Sequence, residues 1–301
     1  MLTLILPGKT NNNSYIENLI NDLNGDGHEC IPFSFFVFMR SAFRADKAIL
    51  LNWIENQTRQ RGFLGYLMVR IFVNLSKHFG FKVFWVRHNF KSHDLKPSQV
   101  ALNVKMIEYL EENTDKVFCH GYSTAKELGY IYLPHPIYRN NNFVDFDEDL
   151  RDYILIFGRI KPYKKVIEAL IDLKGEKVLI AGSFDSKYKL EIQDCIEELG
   201  LDVLIEDKFL DESYLNSLIL NCKLNYVSND GATSIISGAV YHVLSLGGSV
   251  LISGDKLASE YDPELIGITQ DSDHAGYESS DVLNALCKLS GRKAIRGVYY
   301  G

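Results

Sequence analysis

Residues 153–181 read YILIFGRIKPYKKVIEALIDLKGEKVLIA, and the fold turns on this stretch. Tyr153–Phe157 is a continuous apolar run, the pattern of a strand covered on both faces. Gly158 breaks it, a helical period runs from about Lys165 to Leu173, and a second apolar run, Lys177–Ala181, ends at Gly182. A helix between two such strands makes a parallel pair, because only a crossover returns the chain in the same direction.

The alternation continues on both sides. Downstream come a helix Ser186–Leu199, a strand Leu201–Ile205, a helix Glu212–Asn221, a strand Leu224–Ser228, a helix from about Thr233 to Leu246, a strand Ser249–Ile252 and a helix Asp281–Leu289. Upstream, Leu2–Leu6 is a strand closed by Pro7-Gly8, and Ser14–Leu23 is a helix with Ile16, Leu19, Ile20 and Leu23 on one face. Cys30–Phe38, Ala48–Trp53, Phe81–His88, Lys116–His120 and Tyr130–Pro134 read as strands. Phe63–Phe79, Ser98–Glu112 and a short piece near Thr124–Leu128 read as helices. Two such series predict an α/β protein of two doubly wound, Rossmann-like domains, residues 1–139 and 140–301, joined by the polar stretch Asn140–Asp152. Ligands in these sheets bind beyond the carboxyl ends of the strands, so the chemistry belongs in βα loops facing an interdomain cleft.

Composition narrows the class. The chain has 301 residues, 46% hydrophobic and 24% charged, which excludes a disordered or collagen-like polymer. Its five cysteines are scattered, never spaced C-x-x-C, and read as reduced thiols, not a zinc ribbon. Leu2–Leu6 is too short for a secretory apolar core, and no uncharged apolar run reaches membrane-spanning length, so a cytoplasmic protein is expected. A net charge of −7 argues against nucleic acid as a partner. The charge is uneven, however: from Arg40 to Lys96 eleven lysines and arginines stand against three acids. Within this segment Arg59, Arg61, Phe63, Leu64, Tyr66, Leu67, Arg70, Ile71, Phe72 and Lys77 lie on or beside one helix. Cations among apolar residues suit an interfacial helix on anionic lipid, a peripheral contact through residues 59–77. The alternative is a core helix with snorkelling cations.

Three strand-end segments carry candidate chemistry. Phe157–Lys165 crowds Arg159, Lys161, Lys164 and Lys165 into one strand-to-helix junction, where Gly158 permits a tight turn and the cations reach paired phosphate oxygens. A solvated basic turn is the plainer reading. Ser228–Ala239 places Asp230, Gly231, Thr233, Ser234, Ser237 and Gly238 at another such junction, where small residues expose free N–H groups to an anion. The plainer reading there is a helix start capped by Thr233 or Ser234. Two such loops in one sheet favour a diphosphate between them. Trp85–Asp94 ends a first-domain strand with His88, Asn89, His93 and Asp94, groups able to polarise or hydrogen-bond a substrate; no third ligand at metal spacing accompanies the histidines. His242, within an apolar helix, reads as a satisfied core histidine, and Cys119 and Cys222 as buried packing.

With these residues in view the chain resembles the GT-B glycosyltransferases, in particular the nucleotide-sugar enzymes of glycosyltransferase family 4 that build bacterial surface polysaccharides such as capsule and lipopolysaccharide. The resemblance rests on the HN…HD loop at His88–Asp94, LPHPIY at Leu133–Tyr138, FGRIKPYKK at Phe157–Lys165, Gly182 after VLIA, and SGA at Ser237–Ala239 followed by GGSVLIS. It implies that Arg159 and Lys164 hold the donor diphosphate and steady the departing nucleotide. It implies that Gly8 lets donor and acceptor approach the backbone and that His88 lies near the transferred sugar. Asp230–Ser234 and Ser237-Gly238 would surround nucleotide and sugar, with Asn89, His93 and Asp94 on the acceptor side. One departure stands out: the family commonly has two glutamates eight apart here, whereas eight residues beyond Asp230 stands Gly238.

The implied reaction moves a hexose from a UDP- or GDP-linked sugar to a glycan or lipid-linked saccharide. It needs no cofactor, and no metal, because the cations stabilise the charge that builds on the diphosphate. Retention is the expected stereochemistry, since inversion would call for a base such as Asp94 or His93. Two other classes remain open: a catalytically inactive GT-B partner subunit that binds nucleotide or sugar, suggested by the missing acid, and a nucleotide-sugar epimerase of similar fold.

Overall fold

The computed structural model describes residues 1–9, 14–25, 27–92, 94–136, 138, 142–145, 149–228, 234–253 and 255–261. They form two compact units. One takes residues 1–136 together with 234–236; the other takes the remainder.

In the first unit the strands are β1 (Leu2–Leu6), β2 (Glu29–Pro32), β3 (Lys47–Asn52), β4 (Lys82–Arg87), β5 (Lys116–Cys119) and β6 (Ile131–Tyr132). They make one all-parallel sheet in the order β2-β1-β3-β4-β5-β6. The helices α1 (Tyr15–Gly25), α2 (Phe35–Ser41), α3 (Gln57–His78), α4 (Pro97–Asn113) and α5 (Tyr122–Leu128) connect them. Every residue of β3 is buried, as the central strand of a doubly covered sheet must be. A core of Leu4, Ile49, Leu51, Val73, Val83, Trp85, Met106 and Leu110 fills one face. Ile5, Tyr15, Ile16, Leu19, Leu50 and Val86 fill the other.

The second unit carries β7 (Tyr153–Ile160), β8 (Lys177–Phe184), β9 (Val203–Asp207), β10 (Leu224–Ser228) and β11 (Val250–Ser253). Its order is β11-β10-β7-β8-β9, again all parallel. The helices are α6 (Val166–Asp172), α7 (Ser186–Leu199), α8 (Glu212–Asn221), α9 (Gly238–Leu246) and α10 (Asp255–Ala258). Asp185 and Asp211 cap α7 and α8 by accepting from first-turn N–H groups, which is why both helices begin where the sequence places them.

Four sequence expectations change. Cys30–Phe38 is not one strand: β2 stops at Pro32, and Ser34 Oγ accepts from Val37 N at 3.2 Å to start α2, so a local cap overrides the β preference of the aromatic run. The helix of residues 63–79 begins earlier, at Gln57, with a kink at Gly62 (φ 56°). The strand expected to end at Phe157 runs on to Ile160, so Gly158 and Arg159 are strand residues. The helix expected from about Thr233 begins at Gly238, because Ser234 is engaged in a bridge to Asn89. The helix expected at Asp281–Leu289 lies outside the described residues.

One polar group sits in the first core. Glu55 is fully buried; Trp85 Nε1 donates to its Oε2 at 3.3 Å, and Oε1 has no partner. Burial pushes its pKa from 4.5 up to about 7. Folding therefore takes up a proton between these values, and the stability that Glu55 permits below pH 4.5 is lost as pH rises through 7. Glu55→Gln removes that slope. Thermal melts of the two proteins should nearly coincide at pH 4.5 and separate at pH 8, the variant being more stable by up to about 3 kcal/mol.

Candidate functional site

In the first unit the carboxyl ends of adjacent parallel strands deliver polar side chains to one place. β3 ends in Asn52, followed by Trp53 in a left-handed conformation (φ 52°). β4 is followed by His88, β5 by His120, and His135 lies three residues beyond β6. Tyr15 opens α1 and reaches into the group. Tyr15 Oη lies 2.7 Å from His120 Nε2 and 3.2 Å from Asn52 Oδ1; His88 Nε2 lies 3.1 Å from Asn52 Oδ1. His120 Nδ1 meets Leu133 O at 2.6 Å, and His135 Nδ1 meets Pro136 O at 2.9 Å. The rings pack together: Trp53 stacks on His88 at 4.4 Å, and His120 lies 5.2 Å from His88 and 5.1 Å from His135. All three histidines are buried. Burial lowers the pKa of His120 to about 4 and takes His88 and His135 well below 6.5, so the cluster is neutral at pH 7.

His88 and Asn89 thus stand together at the end of β4, and Asn89 pairs with Ser234 in an antiparallel bridge. Ser234 is accordingly no N-cap. Asp94 is separate: its half-exposed carboxylate, in a left-handed residue (φ 54°), faces Arg59 at 3.8 Å. Gly8 follows cis-Pro7, and a Cβ there would come within 2.4 Å of the Phe33 carbonyl oxygen. The close approach that demands glycine is therefore to the chain's own backbone. Beside it opens a cavity of about 570 Å³ bounded by Lys9, Ile16, Glu17, Ile20, Asn21 and Phe33.

In the second unit the strand order reverses between β7 and β10, the topological switch point where open α/β sheets take ligands. Both junctions singled out in the sequence leave from these two strands. Arg159 is exposed at the end of β7. Lys164, in a short 3-10 turn, points its ammonium back to donate to Phe157 O at 2.9 Å, beside Gly158. Burial, with no charged partner among the described residues, drops its pKa to about 8. Ser228 Oγ, at the end of β10, donates to Lys164 O at 2.5 Å and so ties the two loops together. Ser237 and Gly238 open α9, but the Ser237 N–H donates to the buried Tyr261 Oη at 3.0 Å, leaving Gly238 and Ala239 as the first donors of that helix. His93, Asp230, Gly231 and Thr233 lie outside the described residues.

His242 is the satisfied core histidine expected: Tyr138 stacks on it at 4.5 Å, and its Nε2 meets Asn216 Oδ1 at 2.8 Å. Cys119 and Cys222 are buried. Sequence reading missed Tyr15, Asn52, His120 and His135 as one group. The signal was available, since three of the four sit at or just past the ends of predicted strands. Among the described residues no group of three or more His, Cys, Asp or Glu is arranged to hold a metal ion.

No protein-family model matches the chain, and no curated protein sequence matches it. Solved structures do. HepE of Anabaena, in complex with UDP, is 12% identical over 97% of this chain and 94% of its own, with a TM-score of 0.55. AviGT4, a glycosyltransferase involved in avilamycin A biosynthesis, is 13% identical over 96% and 92%, with a TM-score of 0.54. TarM is 13% identical with a TM-score of 0.51; 81% of this chain spans 47% of that one. The two parallel sheets and their flanking helices give this chain the GT-B fold.

The β7–β8 pairing beside Lys164 rests on a backbone contact. Gly182 (φ +144°) lies in register with Gly158, and a Cβ on it would fall 1.9 Å from Gly158 O. Gly182→Ala should therefore lower the unfolding free energy by about 2 kcal/mol or more, read in denaturant melts as a lower midpoint at an unchanged slope.

Proposed function

We propose that this chain is a glycosyltransferase that moves a hexose from a UDP- or GDP-linked sugar onto a glycan or lipid-linked saccharide acceptor in surface polysaccharide synthesis. The observation that carries the reading is Lys164: a half-buried ammonium at the switch point, held by one carbonyl and paired with no carboxylate among the described residues. A buried cation without an anion is costly, and a ligand diphosphate supplies the missing charge. Arg159, exposed at the same strand end, would share it. The first donors of α9 add partial positive charge. HepE's complex with UDP supports a uridine nucleotide as the first donor to test.

In the reaction the bond from the sugar's anomeric carbon to the diphosphate oxygen breaks, and its electron pair stays on the diphosphate. Arg159 and Lys164 stabilise that charge as it forms. The acceptor hydroxyl oxygen bonds to the anomeric carbon, and its proton passes to the departing phosphate, so retention requires no protein base. Asp94, turned toward Arg59, does not favour the inverting alternative.

The acceptor side extends to a membrane. α3 buries Gly65, Val69, Val73 and Ser76 yet exposes Leu64, Leu67, Met68, Ile71 and Leu75 along its opposite face. Phe35, Phe36 and Met39 on α2 are exposed as well, and Phe43 is 93% exposed. Neither helix holds an acid, while Arg40, Arg59, Arg61, Arg70 and Lys77 lie on or beside them. An apolar face within a basic field fits anionic lipid, so the enzyme works at the inner face of the plasma membrane through residues 59–77 and α2. No helix among the described residues is long and apolar enough to cross a membrane.

A thermal-shift screen with UDP, GDP, CMP and their sugars tests the donor. A true donor at 100 Kd should add about 2.7 kcal/mol, and Lys164→Met should abolish the shift. Because bound phosphate favours the ammonium, affinity should fall as pH rises above about 8 in the wild type. Full donor affinity in Lys164→Met and Arg159→Ala overturns the assignment. Binding without transfer to any acceptor points to an inactive partner subunit; product from donor alone points to an epimerase.

Co-sedimentation with vesicles tests the surface. The chain should pellet with phosphatidylglycerol vesicles and not with pure phosphatidylcholine. Leu67→Gln combined with Ile71→Gln should weaken binding about tenfold or more, with melting unchanged.

A further inference from the structure

The hydrogen bonds around His88 fix more than its place. Carbonyl oxygens only accept, so each contact to one assigns a proton. Leu133 O accepts from His120, which puts that ring's proton on Nδ1 and leaves Nε2 with a lone pair. Tyr15 then gives its single hydroxyl proton to His120 Nε2, the shorter of its two contacts. The Asn52 amide is oriented by Leu6 O, to which Nδ2 donates at 3.3 Å, so Oδ1 faces the histidine. His88 Nε2, 3.1 Å from that oxygen, must be the donor. The ring is neutral, and its one proton is thereby spent.

We propose that Asn52 is a positioning residue that locks His88 as the Nε2–H tautomer, so that Nδ1 is the ring's proton-accepting atom. Trp53, stacked on the same ring at 4.4 Å and interplanar 24°, fixes its plane. Both come from the carboxyl end of β3, beside β1, where the order of the first sheet reverses. The inference rests on the glycosyltransferase reading for what Nδ1 meets: a hydroxyl of the sugar or the acceptor, which donates to it. An Nδ1–H tautomer would instead offer a donor, and the hydroxyl's own proton would have no acceptor there. Asn52 is 2% exposed, so its effect passes through the ring it holds.

The test has a direct readout. Long-range proton–nitrogen correlation spectra of the folded chain, with His88 identified by its loss in His88→Gln, report which ring nitrogen carries hydrogen. The wild type should show Nε2–H at pH 7. Asn52→Ala, checked for folding by its melting curve, should show a mixture of tautomers. On a sugar-nucleotide donor its kcat should fall about tenfold, with KM within twofold. A wild-type ring carrying its proton on Nδ1, or carrying two, overturns the inference, and this measurement stands even if the variant does not fold. So does an unaltered tautomer, or an unaltered kcat, in Asn52→Ala. A wild-type ring of the expected tautomer in a chain that turns over no donor overturns the transferase reading instead and leaves the Asn52–His88 assignment in place.

Discussion

The constraint on which the rest depends is the parallel hydrogen bonding of both sheets. A parallel neighbour can be reached only by a crossover, and the crossover must leave from the carboxyl end of its strand. The eleven strands among the described residues therefore send their exits to the carboxyl edge of one sheet or the other. Residues far apart in sequence become neighbours without any local signal linking them: Asn52, His88, His120 and His135 meet because β3, β4, β5 and β6 are consecutive in the sheet. In the second unit the order 3-2-1-4-5 reverses between β7 and β10, which brings the 158–165 junction beside Ser228.

Each edge meets the cost of polar groups held out of water in its own way. The first unit neutralises. Three imidazoles close together cannot all be charged, and burial removes the charge from each; what remains is a set of directed hydrogen bonds closed on carbonyl oxygens. Such a network specifies orientation, because a ring flip sets a carbon where the nitrogen stood, and moving the proton to the other nitrogen sets a lone pair against a carbonyl oxygen. The second unit retains a charge. Among the described residues Lys164 donates to one carbonyl, Phe157 O, and burial lowers its pKa to about 8.

The architecture was legible because each sheet is covered on both faces. Continuous apolar runs such as Tyr153–Phe157 and Val178–Ala181 mark strands covered on both faces, and the helices capped by Asp185 and Asp211 begin where a cap residue precedes a periodic run. Illegible elements were those decided by competition at short range. The run Phe35–Phe38 has every mark of a strand, and one serine hydroxyl turns it into a helix. Glycine reads as a stop at Gly158, yet there the strand continues through a left-handed φ of 103°, and Gly182 on β8, whose Cβ would fall 1.9 Å from Gly158 O, lets the two backbones pass. The site was half legible for a related reason. Clusters of cations announce themselves in one dimension, as at 158–165, whereas the histidine group is assembled by strand order and becomes visible only once the sheet is known.

Gly8 is required by the chain's own backbone, whatever passes beside it. A glycine after the first strand of a Rossmann-like unit invites the reading that a ligand must pass close to the backbone. The clash that a methyl group would make is with Phe33 O, 2.4 Å away, where the chain leaves β2. Leu6, Pro7 and Gly8 must run beside that turn for Leu6 O to reach the Asn52 amide, and the amide must be so held for its oxygen to face His88. The glycine thus acts on the site through three hydrogen-bonding groups in succession, by permitting a backbone path. Its requirement is as strict as a ligand contact would make it, but it is set by packing within the first sheet.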